Sequence, residues 1–230
     1  MTKGLSKDMI ESRLQPIGVF DSGVGGLSVL HALVQRLPSE NFIYFGDTGR
    51  TPYGDRTPEE IRGFNREIGS WLLSLGCKLL IVACNTSTVL GMDEIKAMTD
   101  IPVIGMMDAI ISGTFGIGVG EDAWPIGFIA TKATVDSGAY QKAFSALRPA
   151  SIEAGESFFS AACPALVPLV ESGKMSGQDV DKAINEYMMP LKDKRIRTLI
   201  LGCTHYPFLT SAISQLSSSA RNSGVKEISE

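Results

Sequence analysis

At 230 residues the chain is long enough for one large domain or two small ones. Hydrophobic residues at 44% against 20% charged exclude a disordered or fibrous chain, and a net charge of −4 argues against the basic stripe of a nucleic-acid binder. No apolar run approaches the ~20 residues of a membrane span, and four cysteines (Cys77, Cys84, Cys163 and Cys203) are too few for a disulfide scaffold. The composition is that of a soluble, cytoplasmic protein with reduced thiols.

Residues 1–16 are polar and lack the apolar stretch of a signal peptide, so they read as a disordered extension. Residues 17–20 open the pattern as a short run apolar on both sides, the signature of a strand covered on both faces. Leu27, Leu30, Leu33, Val34 and Leu37 then recur at helical spacing and stop at Pro38. A second strand is expected at 42–45. Thr57, Pro58 and Glu60 combine an N-cap, a proline at the first helical position and a capping-box acid. Apolar residues at helical spacing continue to Leu75, with Gly76 where a C-cap belongs. Further strands are expected at 79–83, 102–106, 125–130 and 198–201. Strand and helix alternate, which predicts an α/β doubly wound fold.

The chain also resembles itself. Residues 17–22 (IGVFDS) match 126–131 (IGFIAT) at an offset of 109 (126 minus 17), and 80–86 (LIVACNT) match 199–205 (LILGCTH) at 119 (203 minus 84, cysteine to cysteine). Both offsets are near half the chain and the order is kept. Two similar parallel-sheet lobes related by a pseudo-twofold axis are expected, each ending a strand in a cysteine.

In open α/β sheets ligands bind beyond the carboxyl ends of the strands. There the sequence places Asp21-Ser22-Gly23, Gly46-Asp47-Thr48, Cys84-Asn85-Thr86, Thr131 and Cys203-Thr204-His205. Face-to-face lobes would bring Cys84 and Cys203 to one cleft from opposite sides. Stereochemical inversion at a carbon needs that arrangement: one group removes a proton, the other delivers one to the opposite face. A thiol with a reference pKa of ~8.5 suits either role. Asp47 and Asp21 are candidates beside Cys84, with His205 and Glu171 beside Cys203. A metal site is disfavoured because no Cys-x-x-Cys or paired-histidine spacing occurs. A Cys84–Cys203 disulfide is disfavoured by a reducing cytosol. Gly23-x-Gly25-Gly26 and Gly116-x-Gly118-x-Gly120 fall short of a dinucleotide fingerprint. The first would let a helix start close to the substrate, and the second is a flexible loop. Cys77 and Cys163 read as small core residues.

Residues 17–30 (IGVFDSGVGGLSVL), 44–54 (YFGDTGRTPYG), 83–87 (ACNTS), 167–173 (VPLVESG) and 201–207 (LGCTHYP) resemble the signature segments of the glutamate racemases, of the cofactor-independent Asp/Glu racemase superfamily. The resemblance implies an isomerase that interconverts L- and D-glutamate without pyridoxal phosphate or metal, supplying D-glutamate for peptidoglycan, cell-wall biogenesis and cell shape. It implies Cys84 and Cys203 as the acid/base pair, assisted by Asp47 and His205 respectively. Asp21, Ser22, the backbone N–H groups of Tyr53 and Gly54, Asn85, Thr86, Thr131, Thr204, His205 and Glu171 are the implied substrate-binding set. A homodimer is implied as well. Alternatives are a racemase of aspartate, or a catalytically impaired homologue with a binding role. Lobe boundaries are expected at 17–105 plus 207–230 and at 106–206. Residues 208–216 can form a helix, but 217–230 (SSSARNSGVKEISE) hold no apolar run for a strand. The first lobe is therefore expected to lack its closing strand and helix, leaving an unpaired sheet edge.

Overall fold

The computed structural model describes residues 14–116, 121–152, 157–219 and 226–228. Most of the expected N-terminal extension lies outside them, as do Gly118 and Gly120. Strand β1 (Ile17–Asp21) is buried at every position because helices cover both faces of its sheet. It pairs in parallel with β2 (Phe42–Gly46) on one side and β3 (Leu79–Val82) on the other, and β4 (Val103–Gly105) continues from β3. The sheet order is β2-β1-β3-β4. On one face Phe20, Leu80 and Val82 pack against Ile68 and Leu72 of α2 (Pro58–Ser74) and Ile95 of α3 (Asn85–Lys96). On the other, Ile17, Val19 and Ile81 meet Val29, Leu30 and Leu33 of α1 (Leu27–Arg36). Helix α2 starts as its sequence dictates. The Thr57 N–H donates to Glu60 Oε2 at 2.9 Å, and the Glu60 N–H donates to Thr57 Oγ1 at 3.3 Å. It is followed by Gly76 at φ +73°, a conformation that favours glycine.

The second sheet repeats the first. Its order is β6-β5-β7-β8, all parallel, from β5 (Ile126–Ala130), β6 (Phe158–Ala162), β7 (Thr198–Gly202) and the three-residue β8 (Lys226–Ile228). Strands β5 and β7 hold the central places that β1 and β3 hold in the first sheet. Those are the segments whose likeness is visible in the sequence, so the duplication is one of topology as well as of residues.

The chain crosses between lobes at Met106, which packs in the first lobe, whereas Met107, Ile110 and Ile111 of α4 (Met106–Gly116) join Trp124, Ile126 and Phe128 in the second. The segment after residue 207, expected in the first lobe, packs elsewhere. Leu209, Ala212 and Ile213, the last two in α9 (Thr210–Ser219), are buried with Val180, Ile184 and Leu191 of α8 (Gln178–Lys192), in the second lobe. Each fully buried aliphatic side chain contributes roughly 1.5–3 kcal/mol, which holds this segment on the second lobe and not the first. Residues 217–230 also supply a strand after all: β8 pairs with β7 in the register Thr198↔Lys226. An edge position lets so polar a sequence form a strand, because its ladder bonds need no apolar faces. Helix α1 buries no residue completely, and its Leu27 and Val34, with Leu37 at its C-cap, are exposed. Among the described residues no helix is long and apolar enough to cross a membrane.

Candidate active site

Both cysteines at strand ends face one enclosed cavity between the lobes. Cys84 follows β3 and caps α3, its Sγ accepting the Ser87 N–H at 3.5 Å. Cys203 follows β7 at the equivalent place in the second sheet. Ser22, Tyr53, Gly54, Asn85, Thr86, Thr131 and Thr204 complete the wall, together with Val167 of α7 (Leu166–Glu171). Val167 lies in the quoted 167–173 motif, yet nothing in its residue type marks it as a wall residue. The cavity holds about 10 Å³, on the order of one water, too little for an amino acid with the lobes as they stand.

The remaining candidates stand one layer behind. Beside Cys203, His205 Nδ1 is 3.7 Å from Sγ, while Nε2 is 2.6 Å from Glu171 Oε1. A proton held at Nε2 by the carboxylate leaves Nδ1 to accept from the thiol; a second proton at Nδ1 lets the ring donate to the thiolate. The same Glu171 oxygen accepts the Val24 N–H at 3.0 Å, across the lobe boundary.

On the Cys84 side the carboxylate whose charge bears on the thiol is Asp21. It is fully buried and accepts from the Gly23 N–H at 3.0 Å and from Thr204 Oγ1 at 3.1 Å. Burial raises its carboxyl above the ordinary range, opposed by the nearby His205 imidazole and by these hydrogen bonds. Burial, and then the charge of Asp21, push the Cys84 thiol up to about 11; the Ser87 N–H and the Ser22 hydroxyl oppose them. Asp47 is placed differently from the expectation. Its Oδ2 accepts from Arg50 Nε and from the Tyr53 hydroxyl, each at 2.5 Å. Tyr53, which it holds, lies in one buried cluster with Cys84 and Ile61. The Arg50 guanidinium, three residues along, ties the same oxygen.

Glycines set how closely the lobes meet. A Cβ on Gly25 would lie 2.5 Å from both His205 Nδ1 and Thr204 Oγ1, and one on Gly23 would lie 2.0 Å from Glu171 Oε1. A Cβ on Gly54 would come within 2.9 Å of Thr131 Cβ. The first glycine stretch therefore admits the second lobe's side chains, a use the sequence alone does not specify. Across the same boundary Thr86 Oγ1 meets Thr131 Oγ1 at 2.9 Å and Thr134 Oγ1 at 3.1 Å. Thr131 also caps the short helix α5 (Lys132–Asp136). Among the described residues no group of three or more His, Cys, Asp or Glu side chains converges to hold a metal ion.

Cys77 and Cys163 are buried in the two lobe cores, and burial pushes the Cys163 thiol up to about 12. Above pH ~9 the unfolded chain loses thiol protons that the folded protein keeps, so stability falls as pH rises. The contribution of Cys84 is complete below about pH 9 and lost by about 11, and that of Cys163 by about 12. Urea-unfolding midpoints between pH 7 and 11 should fall on the alkaline side. Cys163→Ala should show a shallower alkaline fall, and an unchanged slope would exclude this thiol as its source.

The family model described as Asp/Glu/Hydantoin racemase matches residues 17–225. The chain belongs to this racemase family. Among curated members, a glutamate racemase of Oceanobacillus iheyensis is 43% identical over 205 residues, which is 87% of this chain and 70% of that protein. One from Picosynechococcus is 41% identical over 202 residues, covering 87% and 68%. The solved glutamate racemase of Francisella tularensis, in complex with D-glutamate, superposes with a TM-score of 0.82 at 36% identity, covering 94% of this chain and 76% of its own. Two parallel-sheet lobes meeting at a cleft are thus the racemase fold, duplicated within one chain.

Proposed function

We propose that this chain is a glutamate racemase that moves the Cα proton between Cys84 and Cys203. The observation that carries this reading is two thiols, each at the end of an equivalent strand in a duplicated lobe, lining one cavity. One cysteine, as thiolate, takes the Cα proton: the C–H bond breaks, an S–H bond forms, and the electron pair stays on the substrate. The other, as thiol, gives its proton to the opposite face and becomes thiolate; the reverse reaction exchanges the roles. The carbanion charge spreads into the α-carboxylate, so donors aimed there stabilise the transition state. In this reading Asn85, Thr86 and Thr204, which line the cavity, supply such donors, and the N-terminus of the 12-residue helix α3 adds its positive dipole end. Ser22, Thr131 and the backbone N–H groups of Tyr53 and Gly54 complete the substrate wall.

Within this reading Asp21 acts on Cys84, and His205, held by Glu171, acts on Cys203. Asp47 acts indirectly by anchoring Tyr53. No cofactor takes part. The enzyme belongs in the cytoplasm, where thiols stay reduced, and supplies D-glutamate for peptidoglycan. The homodimer also belongs to this reading, with exposed Leu27 and Val34 on α1 and Leu37 at its C-cap as apolar surface for it.

L-Glutamate incubated in deuterium oxide should yield D-glutamate carrying deuterium at Cα, followed by circular dichroism and proton NMR. Product without deuterium would exclude proton transfer. Faster turnover of L-aspartate would redirect the reading to aspartate.

A further inference from the structure

We propose that Tyr140, in α6 (Ala139–Leu147) of the second lobe, is a positioning residue that orients Asn85 as a hydrogen-bond donor toward the substrate carboxylate, an inference that rests on the racemase reading above. Tyr140 is 2% exposed, and its ring lies on Phe128 with centroids 4.5 Å apart. Its hydroxyl crosses the lobe boundary and donates to Oδ1 of Asn85, the first residue of α3 and the neighbour of Cys84. The rest of the ring is enclosed by Phe144, Phe158 and Ile200. A phenol hydroxyl in such surroundings is costly to leave without a partner, which makes this bond a strong constraint.

The constraint matters because an asparagine amide has nearly the same shape in its two orientations but opposite hydrogen-bonding character. With Oδ1 held by Tyr140, the NH₂ group takes the other branch. Asn85 lines the cavity, so that wall presents a donor, which suits a carboxylate and not an ammonium group. Tyr140 and Asn85 sit on different lobes. The donor is therefore oriented only while the lobes are together, and recognition of the carboxylate is tied to closure.

The test compares wild type with Tyr140→Phe, which keeps the ring, and Asn85→Asp, which keeps the acceptor for Tyr140 but removes the donor. Tyr140→Phe should raise KM for glutamate roughly five- to tenfold, the effect of one hydrogen bond, with a smaller change in kcat. Asn85→Asp should retain the unfolding midpoint yet raise KM at least as much. Nitrogen-15 NMR of the ligand-free protein should show one ordered Asn85 amide pair in wild type, and an averaged pair in Tyr140→Phe. A KM within twofold of wild type in Tyr140→Phe, with only a lowered midpoint, would make the tyrosine a packing residue and overturn the proposal. Unchanged amide signals would overturn it too. If wild type neither racemises glutamate nor gains thermal stability from D-glutamate, the racemase reading fails, and the amide signals alone decide whether Tyr140 orients Asn85.

Discussion

Cys84→Ala and Cys203→Ala should each remove racemisation in both directions, by roughly 10²–10⁴-fold or more, the range that a positioned acid or base contributes. The sharper expectation concerns what survives. With one thiol gone, the other still faces one side of Cα. It can remove the proton from the enantiomer that presents its hydrogen on that side, exchange it with solvent and return a deuteron without inversion. Each variant should therefore wash deuterium into one enantiomer only, and the two variants should spare opposite enantiomers. Proton NMR of L- and D-glutamate incubated separately with each variant in deuterium oxide reads this directly. Equal washout of both enantiomers by one variant would mean that a single group serves both faces, and the two-thiol mechanism would fall. The cavity is small and enclosed, with Cys84 and Cys203 4% and 5% exposed. Bulk water is thereby kept from substituting for a missing thiol.

The second large effect is expected at a residue with no side chain. Gly25→Ala should lower kcat/KM roughly 10²-fold, the order of loss that accompanies a displacement of about 1 Å at a reacting group. Its Cβ would stand 2.5 Å from His205 Nδ1 and from Thr204 Oγ1. Neither can turn aside freely. His205 is held by Glu171 at 2.6 Å, and the Thr204 hydroxyl donates to Asp21 at 3.1 Å. The clash must then be relieved by pushing the lobes apart or by moving His205 off Cys203. Gly63→Ala is the control, because nothing lies within 4 Å of its Cβ position and it sits inside α2. It should keep its activity and gain up to ~1 kcal/mol of stability from reduced chain entropy. Wild-type kcat/KM in Gly25→Ala would show that the lobes need not meet as closely as the structure places them.

Much of the fold was legible because buried parallel strands leave continuous apolar runs. β1, β2, β3, β4, β5 and β7 all lie at or within two residues of where the runs place them. β6 and β8 leave no such run, for a physical reason. Edge strands are covered less completely, so Phe158–Ala162 can carry serine and alanine, and Lys226–Ile228 can carry two charges. The destination of residues 207–219 was not legible either. The helical pattern of α9 shows that it has an apolar face, but not which lobe offers that face a partner.

The candidate site divides in the same way. Cys84, Asn85, Thr86, Thr131, Cys203 and Thr204 could be read directly, since small polar residues at the ends of buried strands have no packing role to fill. Their convergence followed from the internal duplication. Pairings between side chains were another matter. That Glu171 reaches both His205 and the Val24 N–H, that Tyr140 holds Asn85 and that Thr204 donates to Asp21 all depend on contacts between distant residues, up to the 183 positions that separate Asp21 from Thr204. Sequence by itself determined the two-lobe α/β architecture and which residue types stand at the strand ends, because burial and chain reversal are local demands. Only the tertiary structure decided which side chains meet around each thiol. Two of those contacts, the Val24 N–H with Glu171 and Thr204 with Asp21, cross between lobes, and their distances are set by lobe packing that no local pattern records.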